Sequence, residues 1–206
     1  WVLALVGGGF IHRSGQMWQR DVSCAWPESL WEPLWLNIGS RSESELKLLR
    51  IAGLLEEPFP YALALELSEL EEQEAHRALD ILLRDGLVEE CFGQPGELFQ
   101  LSSRELKEKL QTSATERLRR RVYGRAAQLL EGKAPAAMIG KYLRRAGNDA
   151  EALPRILQAA LEAEQAGDWP QAHAQGNDAL QAQSSPEVHL IALTRRSQAL
   201  LLRRPP

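Results

Sequence analysis

Cysteine is scarce in this sequence, and the two cysteines present lie far apart. Cys24 and Cys91 are separated by more than sixty residues of the 206. This spacing excludes a disulfide-rich framework and offers no pair of neighbouring thiolates for a metal. A reducing, cytoplasmic setting fits such cysteine usage best, and we expect that compartment. The histidines are equally scattered, without the paired spacing of a metal site: His12, His76, His173 and His189.

The chain also lacks the motifs that would indicate catalysis. It has no Gly-x-x-x-x-Gly-Lys-[Ser/Thr] run to cradle phosphates and no Gly-x-Ser-x-Gly nucleophile elbow. The apolar start, Trp1 to Ile11, is too short to span a bilayer and has no basic region of a signal peptide before it. We therefore expect no enzyme, no bound cofactor or metal, and no membrane partner.

Charge is nearly balanced over the whole chain but strongly segregated along it. The net charge is −4, which gives no global attraction to nucleic acid or membrane. Residues 44–101 hold 13 acidic and 4 basic side chains, whereas residues 102–145 hold 4 acidic and 12 basic ones. Two neighbouring segments of opposite charge are therefore present.

The central stretch, residues 42–103, predicts three helices followed by a hairpin. Ser42 and Glu45 have the spacing of a capping box, and the prolines after Glu57 end the first helix. The predicted helices are Ser44–Leu55, Tyr61–Leu67 and Glu71–Asp85, and the predicted strands are Leu87–Glu90 and Leu98–Leu101, joined through residues 93–96. Three helices and a hairpin in this order are typical of a winged-helix domain.

The third predicted helix has the wrong charge for DNA. It carries five carboxylates against two arginines: Glu71, Glu72, Glu74, Asp80 and Asp85 against Arg77 and Arg84. A DNA reader must neutralise phosphates. The sequence therefore argues against DNA binding through this helix.

Basic residues concentrate in the predicted linker region, residues 104–133. Short helix Arg104–Leu110 and a longer helix to Glu131 are expected, with capping-box spacings at Ser102 and Ser113. The second helix carries five arginines as candidates for an anion or partner contact: Arg117, Arg119, Arg120, Arg121 and Arg125. Three interpretations fit these arginines. They form a solvated face, or the helix packs beside the acidic segment 44–101, or they contact an anion, a nucleotide or nucleic acid.

Residues 134–206 predict antiparallel helical hairpins. The expected helices are Ala136–Arg145, Ala150–Ala166, Pro170–Ala182 and Pro186–Arg203. Small residues recur at positions suited to close helix approach: Ala159, Ala160, Ala163, Ala172, Ala174 and Ala179. This pattern indicates the start of tetratricopeptide-like repeats, and such stacks usually need about three repeats to be stable.

The first segment, residues 1–41, predicts the end of a helix over Trp1–Val6, a small hairpin and a connector. The hairpin strands are expected at Phe10–His12 and Met17–Gln19. The tryptophans of the connector recur at helical spacing, which favours a packed core over a carbohydrate or peptide platform. Because the chain starts at Trp1 rather than Met, we expect it to be a piece of a longer protein.

Four passages, taken in their order along the chain, resemble the STAND-class signal-transduction ATPases. These are AAA-like regulators whose ATPase core is followed by a winged helix and a helical-repeat sensor. The passages are residues 5–18 (LVGGGFIHRSGQMW), 46–55 (LKLLRIAGLL) with Phe59, 75–88 (AHRALDILLRDGLV) and 116–127 (ERLRRRVYGRAA). They resemble the end of the ATPase lid, the first winged-helix segment, its third helix and the linker to the repeats.

The resemblance implies a mainly α regulatory segment with no catalysis of its own. It implies a partner that is another protein or the ATPase core of the parent, with ATP or ADP bound in that core. One departure is visible: Ser103 stands near the place where relatives carry a nucleotide-facing histidine after the wing. Two other readings stay open, a winged-helix transcription regulator that binds DNA and a helical-repeat adaptor without an ATPase. The sequence leaves the oligomeric state undetermined.

Overall fold

A computed structural model describes residues 5–6, 10–14, 17–20, 38–91 and 97–181 of the chain. The protein is mainly helical with small antiparallel sheets, which confirms the predicted fold class at that level. The chain divides into two compact units, Trp1–Gln111 and Thr112–Pro206. In the described ranges, no helix is long and apolar enough to cross a membrane.

The predicted hairpin near the start of the chain is present. Strands β1 (Ile11–Ser14) and β2 (Met17–Arg20) pair antiparallel, with Ile11 opposite Arg20 and Ser14 opposite Met17. Phe10 is buried, and its N–H donates to the carbonyl of Leu5 at 2.9 Å. Met17 and Trp18 are exposed on successive positions and so point to opposite faces of the ribbon.

Helix α1 (Glu43–Leu54) begins where the sequence predicts. The Ser42 hydroxyl accepts a hydrogen bond from the Glu45 N–H at 3.3 Å and donates to the Glu45 carboxylate at 2.6 Å. Seven of its residues are buried, because its apolar residues occur nearly all round the helix. The helix ends before Pro58, since proline lacks the N–H that a further turn requires.

The rest of this region surrounds α1. Strand β3 (Phe59–Pro60) leads into α2 (Tyr61–Ser68), and α3 (Glu72–Arg84) packs against both α1 and α2. On α3 the buried stripe is Ala75, Ala78, Leu79 and Leu82, and the spacing of apolar residues in the sequence predicts all four. Its i, i+3, i+4, i+7 spacing is that of one helix face.

A three-stranded antiparallel sheet closes the region. Strand β5 (Leu98–Leu101) lies in the middle, between β3 and β4 (Val88–Glu90). Phe59 pairs with Phe99 on one side and Val88 pairs with Leu101 on the other. The sequence predicts β4 and β5 but misses β3, because two residues before a helix carry no periodic signal.

Helix α4 (Arg104–Ser113) is longer and capped differently from the prediction. The expected capping residue was Ser102, but the hydroxyl of Ser103 accepts from the Leu106 N–H at 3.1 Å. Leu110 packs on Gly53 of α1, and the Gln111 amide donates to the Gly53 carbonyl at 3.0 Å. These contacts extend the helix beyond Leu110 and place residues 104–111, predicted as part of the linker, in the first unit.

The second unit is a succession of helices joined by short turns. They are α5 (Glu116–Leu130), α6 (Ala136–Ala146), α7 (Asp149–Gln165) and α8 (Trp169–Gln181), and each packs against the next. The cap of α5 is Thr115, whose hydroxyl accepts from the Leu118 N–H at 3.3 Å. The prediction of Ser113 is wrong, since Ser113 still belongs to α4.

Small residues allow these helices to approach closely. A Cβ added at Gly140 of α6 would lie 2.8 Å from Cγ1 of Ile156 on α7, so a larger residue there would have to displace Ile156. Of the six alanines predicted at close-packing positions, five are buried: Ala159, Ala160, Ala163, Ala172 and Ala179. Ala174 is exposed, which corrects the prediction for that residue.

Several predictions concern residues outside the described ranges. They are the helix start before Leu5, the glycines at 7–9, the tryptophan-rich connector at 21–37, the wing turn at 93–96 and the helix Pro186–Arg203.

Candidate partner-binding surfaces

The exposed side of α3 presents one candidate surface. The side of α3 opposite its buried residues faces outward, and an open depression of about 480 Å³ lies on that side. The depression is lined by Glu72, Gln73, His76, Arg77 and Asp80. Glu72, His76 and Asp80 recur every four residues and so form one row along the helix. We call Glu72, His76 and Asp80 the α3 row.

Tyr61 of α2 lies against the α3 row. Its hydroxyl is 3.3 Å from Nδ1 of His76, and the two rings meet edge to face with centroids 5.4 Å apart. Burial raises the pKa of Tyr61, and the charges of Glu72, Glu97 and Asp80 raise it further. These carboxylates give the surface beside Tyr61 a negative potential, as the sequence predicts for the third helix.

The five arginines predicted on the linker helix do not form one uniform face. Arg117, Arg120, Arg121 and Arg125 are exposed, whereas Arg119 is half-buried. Glu116 pairs with Arg119 and with Arg120, each at 2.9 Å. The hydrogen bond from Arg120, reinforced by the charge of Arg119, holds the pKa of Glu116 below its usual value. Arg119 and Arg120 are therefore engaged within their own helix.

The other three arginines form a line. Arg117, Arg121 and Arg125 are spaced by four residues, so their side chains leave the same side of α5. At 1.5 Å of rise per residue the line is about 12 Å long. We call Arg117, Arg121 and Arg125 the arginine row. Among the described residues no ion pair holds Arg117 or Arg125.

The spacing of apolar residues predicts a stripe of Leu118, Val122, Ala126, Leu129 and Leu130 on α5, and the buried side differs from it in part. Val122 and Ala126 are buried as expected, but so are Tyr123 and Ala127. Tyr123 stacks on Tyr142 of α6 with centroids 6.0 Å apart, and the Arg145 guanidinium lies 5.5 Å from the centre of the Tyr123 ring. Burial on this side fixes the arginine row on the surface that faces away from α6.

A second depression, of about 620 Å³, lies among α5, α6 and α7. Ile139 and Leu143 of α6 line it with Glu131, which pairs with Arg155 of α7. The sequence does not predict this site, because its residues come from separate helices and share no local spacing. Its apolar lining is already buried, at 3% exposure for Ile139 and 7% for Leu143.

Metal-binding geometry is not found in the parts of the chain that the structure describes. No three histidine, cysteine, aspartate or glutamate side chains there converge to hold an ion. His76 contacts Tyr61, and Nδ1 of His173 is 3.4 Å from the Asn177 amide. Cys91 is a free, half-buried thiol at the end of β4.

Comparison of this chain with protein-family models, with curated proteins and with solved structures gives no match.

Proposed function

We propose that residues 42–103 are a winged-helix domain. Along the chain the order is helix, strand, two helices and two strands, over α1, β3, α2, α3, β4 and β5. The first, short strand pairs with the last one, and the last strand also pairs with the middle one. Both the element order and the strand order are those of winged-helix domains.

The helices after residue 134 are the start of a tetratricopeptide-like array. Helix α6 is separated from α7, and α7 from α8, by turns of two or three residues. Turns this short force neighbouring helices to run antiparallel. Buried alanines and Gly140 at the helix contacts support the same arrangement, since small side chains let the helices approach.

The function that fits these parts is regulation through protein contacts. The chain is a non-catalytic interaction segment of a cytoplasmic, multidomain signal-transduction ATPase of the STAND class, acting in signalling or transcription control. Its winged helix packs on the ATPase core and restrains it, and its repeats receive a protein or small-ligand signal. The family assignment rests on the four sequence passages that resemble this class.

One observation carries the interaction role. On the outward side of α3, which enters the major groove in DNA-binding winged helices, the charges of Glu72, Asp80 and Glu97 act on Tyr61, and a single arginine, Arg77, lines the depression with them. Phosphate binding needs cations at that place. An acidic surface favours a protein partner with basic side chains instead.

The family assignment is tested on the encoding gene. A phosphate-loop motif within about one or two domain lengths upstream of the Trp1 codon is expected. If the upstream region encodes no nucleotide-binding domain, the ATPase assignment falls and the free-standing adaptor is the better function.

Docking on the core is tested with purified proteins. The upstream ATPase domain is titrated with this chain in the presence of ADP or ATP, and binding is followed by calorimetry. Glu72→Arg/Asp80→Arg is expected to weaken binding at least tenfold, whereas the exposed pair Glu151→Arg/Glu162→Arg on α7 is the matched control. Equal binding by both variants would overturn docking through α3.

DNA binding is a second candidate, favoured only by the arginine row. Duplex DNA is titrated at several salt concentrations, because a protein that contacts phosphates loses affinity steeply as salt rises. Three phosphate contacts would give a slope of about −2.7 in log affinity against log salt. Weak binding that salt does not change would eliminate this candidate.

A further inference from the structure

The arginine row and the α3 row match each other in spacing and in charge. Arg117 and Arg125 are eight residues apart on α5, as Glu72 and Asp80 are on α3. Each pair therefore spans about 12 Å of helix. Two helices laid side by side can bring both arginines onto both carboxylates at once.

The residues in the middle of the two rows, and the charges beside the α3 row, are compatible with this side-by-side contact. Arg121 would lie opposite His76, whose Nδ1 is already near the Tyr61 hydroxyl. Glu97 adds negative charge near Tyr61, whereas Arg77 lines the same depression as the α3 row and Arg84 is 3.4 Å from the carboxylate of Asp85. The contact is thus directed to the Tyr61 side, because there the potential is negative.

We propose that the arginine row docks on the α3 row of a second copy of this chain. The two segments that carry the rows hold 13 acidic against 4 basic residues and 12 basic against 4 acidic residues, so the complementarity extends beyond the pairs themselves. Every copy carries both rows. Its arginine row can therefore bind one neighbouring copy while its α3 row binds another. This self-association goes beyond the proposed function and does not depend on the ATPase core.

Other anionic partners fit the arginine row less well. Glu116 begins α5 and Glu131 directly follows it, so a nucleic-acid strand laid along the whole helix would meet a carboxylate at each end. The exposed residues between and beside the row include Gln128 but no aromatic ring on which bases could stack. A protein surface of spaced carboxylates matches the row better than a continuous polyphosphate does.

The predicted assembly has a distinctive form. Two different faces meet in each contact, so the contact is heterologous and leaves one free row of each kind at the ends. The assembly therefore grows beyond a dimer, or closes into a ring, as concentration rises. Because exposed ion pairs are weak and screened by salt, association is expected at low salt and lost at high salt.

The test is sedimentation velocity of the purified chain over a concentration series. At about 50 mM salt the weight-average mass is expected to rise above the monomer mass of 23.1 kDa, and at about 500 mM to return to it. Reversing one row, as Arg117→Glu/Arg121→Glu/Arg125→Glu or as Glu72→Arg/Asp80→Arg, is expected to leave only monomer. Circular dichroism checks that each variant is folded.

A mixture of the two variants distinguishes direct pairing from general charge effects. The reversed arginine row then meets a reversed α3 row, and association is expected to return in the mixture although each variant alone is monomeric. Lys109→Glu/Lys133→Glu/Lys141→Glu is the matched control, because it changes net charge as much as the arginine variant at three exposed lysines off the row.

The outcomes are decisive in both directions. Rescue in the mixture, with association kept by the lysine control, supports the proposal. A wild-type chain that is monomeric at all concentrations at low salt overturns it, as does a mixture that stays monomeric. Salt-sensitive DNA binding lost in the arginine variant, without self-association, would assign the row to nucleic acid instead. Failure here leaves docking on an ATPase core unaffected, since that test uses a different partner.

Discussion

Arg41 forms an ion pair with Asp85, which lies 44 residues further along the chain. The same guanidinium is 3.3 Å from the carboxylate of Glu45, so one arginine joins the start of α1 to the end of α3. Its side chain is only 10% exposed. A charge in such a place stabilises the fold only while its partners remain ionised.

Replacing Asp85 with asparagine is expected to destabilise the first unit by about 1 to 3 kcal/mol at neutral pH. Burial, the largest single influence, raises the pKa of Asp85, but the hydrogen bonds and charges of Arg41 and Arg84 together lower it below 3.8. A lowered folded-state pKa means that the stabilisation is complete above 3.8 and is lost as pH falls through the folded value.

The measurement is urea unfolding of wild type and Asp85→Asn at neutral and at acidic pH. The difference in unfolding free energy should be large at neutral pH and shrink in acid. Asp80→Asn, at an exposed position of the same helix, is the control and should cost less than about 0.5 kcal/mol. A difference for Asp85→Asn that does not depend on pH would contradict the assignment.

Glu57 joins the end of α1 to α4 and β5. One carboxylate oxygen accepts from the Leu101 N–H at 2.8 Å, and the other lies 3.1 Å from Nζ of Lys107. Glu57→Ala removes the carboxylate that makes both contacts. It should destabilise the first unit by about 1 to 3 kcal/mol, because the backbone N–H of Leu101 is left without an acceptor.

Glu57→Gln separates these two contributions. The amide oxygen still accepts from the Leu101 N–H. The loss of unfolding free energy in this variant should therefore be less than half of the loss in Glu57→Ala. Thermal or urea unfolding of both variants checks this order. Equal losses would show that the charge of Lys107, and not the backbone donor, dominates.

Two helical glycines of the second unit should respond oppositely to alanine. At Gly140 the new Cβ would lie 2.8 Å from Ile156 Cγ1 and 3.3 Å from its backbone nitrogen, and overpacking should cost about 1 to 3 kcal/mol. At Gly124 the nearest atom is Ala146 Cβ at 3.8 Å, an ordinary contact. There alanine should stabilise by about 0.5 to 1 kcal/mol, since it restricts the unfolded chain. Urea unfolding checks both signs, and a Gly140→Ala variant as stable as wild type would refute the packing described for α6 and α7.

Gly53 tests the attachment of α4 to α1. A Cβ at this position would lie 2.6 Å from the Cβ of Leu110, which cannot move without its backbone. Gly53→Ala should therefore destabilise the first unit by about 1 to 3 kcal/mol. Gly39→Ala is the control, because nothing lies within 4 Å of its new Cβ. Hydrogen exchange should show the loss of protection first in α4, and unchanged exchange there would contradict the contact.

Local patterns in the sequence were enough where neighbours in the chain decide the structure. The cap at Ser42, the buried stripe of α3 and the strands β4 and β5 follow from spacing over a few residues. The acidic character of α3 is likewise a property of sequence alone, because its buried stripe leaves the charged residues no other side.

Other features depended on contacts between distant segments. Ser103 caps α4 instead of Ser102. Thr115 caps α5 instead of Ser113, because α4, which contacts Gly53 through Leu110, continues through Ser113 and so leaves α5 to begin later. The five arginines were predicted as one group. Pairing with Glu116 removes two from it, and the packing of Tyr123 on Tyr142 decides which side of α5 remains exposed.

The sequence by itself determined a mainly helical chain, its charge segregation and the positions of most helices, since apolar periodicity and charge are local quantities. Tertiary structure alone decided the strand β3, the Arg41–Asp85 ion pair and the exposure of the side of α5 that carries Arg117, Arg121 and Arg125. Each of these depends on which surfaces become buried. Burial is settled only when segments far apart in the chain pack together.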